Sequence, residues 1–109
     1  MEVDTLKSLV LSLPEVRSSV HMDVPDFRVN GKIFATLPSN QHLVLKLTVE
    51  QQKMVISSDP GLFAPVDDAW GERGWTIADI AALDEAEALS SVIMAWTNVS
   101  PEITKKKHG

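Results

Sequence analysis

The chain contains no cysteine, and its five glycines are scattered rather than clustered. Without cysteine the protein can form neither a disulfide nor a thiolate metal site, and it has no cysteine nucleophile. Because the sequence also lacks a Gly-rich phosphate loop and a GxSxG segment, nucleotide-binding proteins and serine hydrolases lose support. We therefore predict that the protein is not an enzyme and has no cofactor.

Long apolar runs are absent, and basic residues are few. No stretch approaches the length of a membrane span, and the first residues resemble no signal peptide, so we expect a cytoplasmic protein without membrane contact. The 10 Lys and Arg residues stand against 15 Asp and Glu, a net charge of -5. A field of this sign repels polyanions, so nucleic-acid binding would require a local basic patch.

The potential metal ligands have no recognisable spacing. His21, His42 and His108 are far apart and form no paired-ligand motif, so ordinary surface or packing roles are predicted for them. The carboxylates at 67, 68 and 72 match no EF-hand loop, and a solvated acidic loop is the simpler interpretation. No metal site is predicted.

The stretch from residue 26 to residue 48 has the strongest pattern in the chain. It predicts three strands in two hairpins, with a tight Asn30-Gly31 turn and a looser turn at 38–41. The alternation of side chains along these strands predicts that one set faces the helices that cover the sheet, namely Ile33, Ala35, Leu37, Leu43, Leu45 and Leu47. The set assigned to the open face is Lys32, Phe34, Thr36, Val44, Lys46 and Thr48.

The turn decides where Arg28 lies. A two-residue Asn30-Gly31 loop places Arg28 on the opposite face of the sheet from Lys32. A bulged loop reverses this, because one extra residue exchanges the faces of every side chain before it. Both registers remain open from the sequence.

Three segments have the spacing of amphipathic helices. The first has Asp4 or Thr5 as its cap and ends ahead of Pro14; its apolar stripe is Leu6, Leu9, Val10 and Leu13. The second, over 49–58, follows a capping-box spacing between Thr48 and Gln51. The third follows the same spacing at Asp84 and Glu87, and its stripe is Leu89, Val92, Ile93 and Trp96, with Trp96 in the core.

The remaining segments complete the order of elements. Residues 15–24 are predicted as an irregular lead with some extended character, 62–66 as an edge strand because of Pro65, and 74–79 as the last strand. Between these two strands, Trp70 is expected to close the acidic loop over the edge of the core. The order helix, three strands, helix, two strands, helix predicts an α+β two-layer sandwich, an antiparallel sheet with helices on one face. We predict one domain over 1–101 and a mobile basic tail over 102–109.

Four cations and one tryptophan are candidate contacts to nucleic acid. They are Arg28, Lys32, Lys46, Arg73 and Trp75. The cations would form a small positive surface on the sheet and its hairpins, and the alternative is an ordinary scatter of solvated side chains. Trp75 either packs inward or lies on the open face, where it would stack on bases.

At FRVNGKIFATL, then LVLKL, then GWTIADI, the chain resembles the MmcQ/YjbR-like family of small bacterial proteins, over nearly its whole length from LPEV to WTNVSP. The positions that match are Phe27, Arg28, Gly31, Lys32, Phe34, Lys46, Gly74 and Trp75. The resemblance implies a fold related to type III secretion chaperones, with the same order of elements. It also implies double-wing DNA binding, in which the hairpins are the wings.

Two functions follow from these observations. One is weak or non-specific DNA binding, with the four cations on phosphates and the Asn30-Gly31 hairpin as a wing beside a groove. The alternative is a protein-interaction module that presents Phe34, Val44 and Trp75 on the open sheet face to a partner or to its own copy. A small-molecule enzyme is a third possibility that no residue pattern supports.

Overall fold

The computed structural model describes residues 1–102, and the predicted tail therefore lies outside the described residues from position 103 onward. Within these residues the α-helices are α1 (Val3–Leu11), α2 (Val49–Ser58), the single-turn α3 (Ala69–Glu72) and α4 (Glu85–Val99). A 3-10 turn over Ile80–Ala82 precedes α4. No helix within residues 1–102 combines the length and apolarity needed to cross a bilayer.

In the described part of the chain, six antiparallel strands form one sheet, in the spatial order β1-β2-β3-β4-β6-β5. They are β1 (Val16–His21), β2 (Val24–Val29), β3 (Lys32–Thr36), β4 (His42–Lys46), β5 (Phe63–Pro65) and β6 (Trp75–Asp79). The long helices pack on the sheet from one side: α4 contacts β3 and β4, α1 contacts β1 and α4, and α2 contacts β5. The predicted two-layer α+β architecture is confirmed, with Pro65 in an edge strand.

Capping explains where the second and third long helices begin. Thr48 accepts from the Gln51 amide while the Gln51 side chain accepts from the Thr48 amide, and Asp84 and Glu87 exchange the same two bonds. Both predicted capping boxes are therefore confirmed. Helix α1 is present as predicted, but its predicted cap, Asp4 or Thr5, was wrong, because Glu2 is the N-cap residue and no side chain caps the helix.

Strand β1 and helix α3 are additions to the predicted order. β1 pairs along its whole length with β2, through a tight turn in which Met22 and Asp23 both have positive φ. Every residue after Val16 in this strand is exposed, so its sequence lacks the apolar alternation that marks a half-buried strand. Helix α3 occupies the segment predicted as a loop, and Asp68 caps it by accepting from the Trp70 amide at 2.8 Å.

A β-bulge in β3 changes which side chains face the helices. Val29 pairs with Lys32 and Arg28 with Ile33, as a two-residue turn requires, but Phe27 pairs with Ala35, which leaves Phe34 without a partner on β2. The extra residue allows Phe34 and Ala35 both to be fully buried. Ile33, by contrast, shares a face with Arg28, opposite to its predicted side.

The core lies between the sheet and the helices. Trp96 of α4 is buried at its centre, and its indole Nε1–H donates to the Pro14 carbonyl at 3.0 Å, which ties α4 to the chain after α1. This hydrogen bond satisfies the polar atom of the indole, so Trp96 can be buried without leaving a donor unpaired. Its predicted core position is confirmed.

Candidate functional site

One row of side chains crosses the uncovered face of the sheet, which we call the open face. The register of the five strand pairs aligns one residue from each strand, in the order Ser19, Asp26, Thr36, Val44, Ile77 and Ala64. A parallel row, nearer the Asn30-Gly31 turn, contains Arg17, Arg28 and Ile33, then Lys46 and Trp75. The central row is thus polar on β1, β2 and β3 and apolar on β4, β6 and β5, and the row beside it bears the cations.

Two shallow depressions meet on this face at Thr36. The first, of about 250 Å³, is lined by Thr36, Val44, Val66, Trp70 and Trp75 and is almost wholly apolar. The second, of about 410 Å³, has Thr36 and Ile33 at one side and reaches the β1–β2 hairpin at His21, Met22 and Val24, with Asp26 and Arg28 in its wall. The two depressions adjoin at Thr36, and we call the pair the open-face groove.

Trp70, Trp75 and Arg73 form an aromatic cluster at one end of the groove. The rings of Trp70 and Trp75 meet edge to face, with centroids 6.2 Å apart and an interplanar angle of 86°. The guanidinium carbon of Arg73 lies 5.2 Å from the centroid of the Trp70 ring, within cation–π range. Trp75 is half-buried on the open face. Trp70 is 54% exposed, so the prediction that it closes over the edge of the core was wrong.

An ion pair marks the other end of the groove. Asp26 is 2% exposed, and its carboxylate accepts from both Nε and Nη2 of Arg28, each at 3.0 Å. These hydrogen bonds, with the negative charge of Asp26, raise the pKa of the Arg28 guanidinium. Arg28 is consequently a fixed cation whose charge is largely balanced within the face.

Lys32 and Phe34 are not on the open face, so that part of the prediction was wrong. Because the Asn30-Gly31 loop has two residues, Lys32 shares a face with Val29, on the helix side of the sheet, and Arg28 lies opposite. Phe34 is buried through the bulge in β3. The structure therefore brings together Arg28, Lys46 and Trp75 in one row, with Arg73 adjacent through Trp70, and separates Lys32 from them.

Two contributors to the face were missed from the sequence, Arg17 and Asp26. Arg17 lies directly opposite Arg28 in the register, but its strand has no apolar alternation to reveal it. Asp26 had a usable signal, since residues two apart on a strand share a face and a carboxylate two residues before an arginine can reach it. In residues 1–102, no group of three or more His, Asp or Glu side chains is placed to hold a metal ion.

Charge is distributed unequally between the two layers. The three long helices and their N-cap residues carry six carboxylates and two lysines. The open face, counted by strand register, carries three cations and two carboxylates, and one of these carboxylates is Asp26. Three further carboxylates, at 67, 68 and 72, lie in the segment of α3 beside Trp70, so the negative charge is concentrated in the helix layer and in this segment.

Fold and surface together define a class of small two-layer α+β domain whose sheet is covered on one side and presents a groove on the other. The sequence profile of the YjbR family matches residues 11–98, and the chain belongs to that family. The fold is similar to that in the crystal structure of the Deinococcus radiodurans protein DR2400, which carries the DUF419 family domain. The TM-score is 0.75 at 20% sequence identity, covering 96% of this chain and 86% of that one. No curated protein matches the chain.

Proposed function

We propose that this domain binds a segment of a partner protein, which lies extended in the open-face groove with a large apolar side chain against the tryptophan cluster. The observation that carries the proposal is that an apolar depression and a wider one adjoin at Thr36 on the uncovered face of the sheet. A sheet face left open by its helices and floored by half-buried aliphatic and aromatic residues is typical of a protein interface.

The chemistry of the groove favours a segment that is apolar and acidic. Val44, Val66 and the two indoles provide an apolar contact with almost no polar atoms. The neighbouring row of cations is complementary to carboxylates, whereas the acidic helix layer would repel them. Adjacent strands are about 4.8 Å apart, so the three strand intervals from β2 to β6 span about 14 Å, the length of about four extended residues.

A peptide titration followed by backbone amide chemical shifts tests the proposal. The probe is the capped pentapeptide Ac-Leu-Thr-Ser-Thr-Asn-NH2, whose leucine provides the apolar anchor. We expect saturable shifts at β3, β4 and β6 and none in the middle of α2 or α4. Shifts confined to the helices would reject the groove as the binding surface, and so would the absence of shifts at millimolar concentrations of both this peptide and its counterpart that ends in Asp.

A matched pair of variants assigns any binding to the tryptophan cluster. Trp70 and Met54 are almost equally exposed, at 54% and 53%, but Met54 lies on α2 in the other layer. Trp70→Ala should weaken peptide binding about tenfold or more, since large exposed aromatics dominate such contacts. Met54→Ala should leave the affinity unchanged.

DNA binding is the second candidate, favoured by the alignment of Arg17, Arg28 and Lys46 in one row with Trp75 beside Lys46. This set differs from the predicted one by the loss of Lys32 and the gain of Arg17. Because Asp26 balances the charge of Arg28, the remaining Arg28 donors add hydrogen bonds but no net charge, and about three phosphates would be neutralised, by Arg17, Lys46 and Arg73. The expected log-log salt slope is then about -3, with modest affinity.

Fluorescence anisotropy with a labelled 12-base-pair duplex tests this candidate at low salt. If the duplex binds on the open face, a Lys46→Gln, Arg73→Gln double variant should weaken it about tenfold, and Lys32→Gln should have no effect. Duplex binding that Lys32→Gln weakens equally would contradict the arrangement of cations described above.

A further inference from the structure

We infer that Arg28 is a receptor for a carboxylate, so that the segment bound in the open-face groove carries an Asp or Glu about four residues from its apolar anchor. The inference rests on the proposed function and specifies the chemistry of the partner. It assigns to Arg28 the recognition of a peptide side chain, in place of the phosphate contact expected from the sequence.

The first step is the geometry of the ion pair. Both oxygens of the buried Asp26 carboxylate accept from one edge of the guanidinium, formed by Nε and Nη2. Two of the five N–H groups of arginine are used in this way. In the part of the chain that the structure describes, the remaining three donate to no protein atom.

The second step is accessibility. The Arg28 side chain is 35% exposed, and it lines the wider depression together with Val24, Ile33 and Thr36. A guanidinium that a buried carboxylate already holds loses little further conformational freedom when it binds. Its free donors therefore lie in a groove that has apolar walls and excludes part of the solvent, where a charge-assisted bond is stronger than in bulk water.

The third step is distance. Arg28 is on β2 and Trp75 is on β6, three strand intervals away. At about 4.8 Å per interval this separation is about 14 Å, and an extended peptide covers it in about four residues at 3.3 Å each. A leucine at the tryptophan cluster thus brings the fifth residue of the peptide to Arg28.

The test compares two peptides that differ in one group. Ac-Leu-Thr-Ser-Thr-Asp-NH2 and its Asn counterpart are titrated against the protein, with amide shifts and tryptophan fluorescence as measures of affinity. We expect the Asp peptide to bind about tenfold more tightly, as is usual for a hydrogen bond between charged partners in a partly buried site. The shifts unique to the Asp peptide should include residues of β2.

Two variants assign the preference to Arg28. Removing Arg28 alone would leave Asp26 buried and unpaired, so the double variant Asp26→Asn, Arg28→Gln replaces the pair by two amides that can still bond to each other. The preference for Asp should fall to twofold or less. Arg28→Lys keeps the charge but lacks the fork that binds Asp26 and a ligand together, and it should lose most of the preference as well. Lys53→Gln, which removes one charge from α2, should retain the tenfold preference.

The outcomes separate the inference from the proposed function. Equal binding of the Asp and Asn peptides, or a preference that survives in both Arg28 variants, would overturn the carboxylate receptor and leave the groove as a peptide site. Failure of both peptides to bind wild-type protein would reject both. Amide spectra of each variant establish that it folds before its affinity is compared.

Discussion

At the scale of single residues, Gly74 is constrained to glycine in two ways at once. Its φ is +109°, and a Cβ added there would meet the carbonyl oxygen of Leu47 well inside contact distance. Both the conformation and the close approach of the two backbone segments require glycine. We expect Gly74→Ala to lower the free energy of unfolding by about 3 kcal/mol, measured by urea denaturation.

Gly61 provides the control for this prediction. It has no positive φ, and nothing lies within 4 Å of the Cβ position. Gly61→Ala should therefore change the free energy of unfolding by less than about 1 kcal/mol, with either sign. Equal losses in the two variants would show that the approach of Gly74 to Leu47 is not what constrains the chain.

The sequence predicted residues whose position depends on local spacing, and it failed where a position depends on a neighbouring strand. Trp96 and the leucines of β4 follow from period alone, and they are buried. Phe34 was assigned to the wrong face because two adjacent apolar residues, Phe34 and Ala35, carry no local mark of a bulge. The bulge is defined only against β2, by the shift between Phe27 and Arg28.

At the scale of elements, the two capping boxes make a quantitative prediction. Thr48 and Asp84 each satisfy an amide in the first turn of a helix that covers the sheet. Thr48→Ala and Asp84→Ala should each lower the free energy of unfolding by about 1 kcal/mol, measured by thermal or urea denaturation.

Ser90→Ala is the corresponding control in the interior of α4. Ser90 is exposed, and alanine is the better helix former, so this substitution should be neutral or slightly stabilising. A loss in Ser90→Ala equal to that in Asp84→Ala would show that the effect is not one of capping.

Strand β1 makes a prediction about association. It is an edge strand whose residue Val20 is 65% exposed, and Met22 at the following turn is 84% exposed. Unprotected edges offer backbone groups to other chains, and a lysine suppresses such pairing. Val20→Lys should raise the protein concentration at which light scattering begins on heating, with little change in the unfolding temperature.

Leu11→Lys is the control for the edge-strand prediction, because it also replaces an exposed aliphatic residue by lysine but lies on α1. It should leave the onset of scattering closer to that of the wild type than Val20→Lys does. The same improvement in both variants would indicate a general effect of charge.

Elements were predictable where burial gave them a pattern. The three long helices and strands β2, β3, β4, β5 and β6 each have a buried side, and the sequence predicted each of them. Strand β1 has almost no buried side, because hydrogen bonds to β2 hold it in the sheet rather than burial of its side chains. Helix α3 is a single turn, too short to show a period, and the groove that it completes with Trp70 was unforeseen for the same reason.

At the scale of the whole molecule, separation of charge between the layers predicts how binding responds to salt. The screening length falls from about 10 Å at 0.1 M to about 3 Å at 1 M ionic strength. We expect the Kd of the Asp peptide to rise about fivefold over this range, measured by fluorescence titration. The Asn peptide should change less than twofold, and equal responses would argue against attraction by the cationic row.

The bulge in β3 has a consequence beyond this chain. If the single extra residue were accommodated in the Asn30-Gly31 turn instead of at Phe34, the same amino acids would place Phe34 on the open face opposite Lys46, with Lys32 two residues further along that face. The position of the β-bulge therefore determines whether the open face of the sheet is mainly apolar or more basic. A related domain with the β-bulge at another position of this hairpin would present a different binding surface while its helices stayed in place.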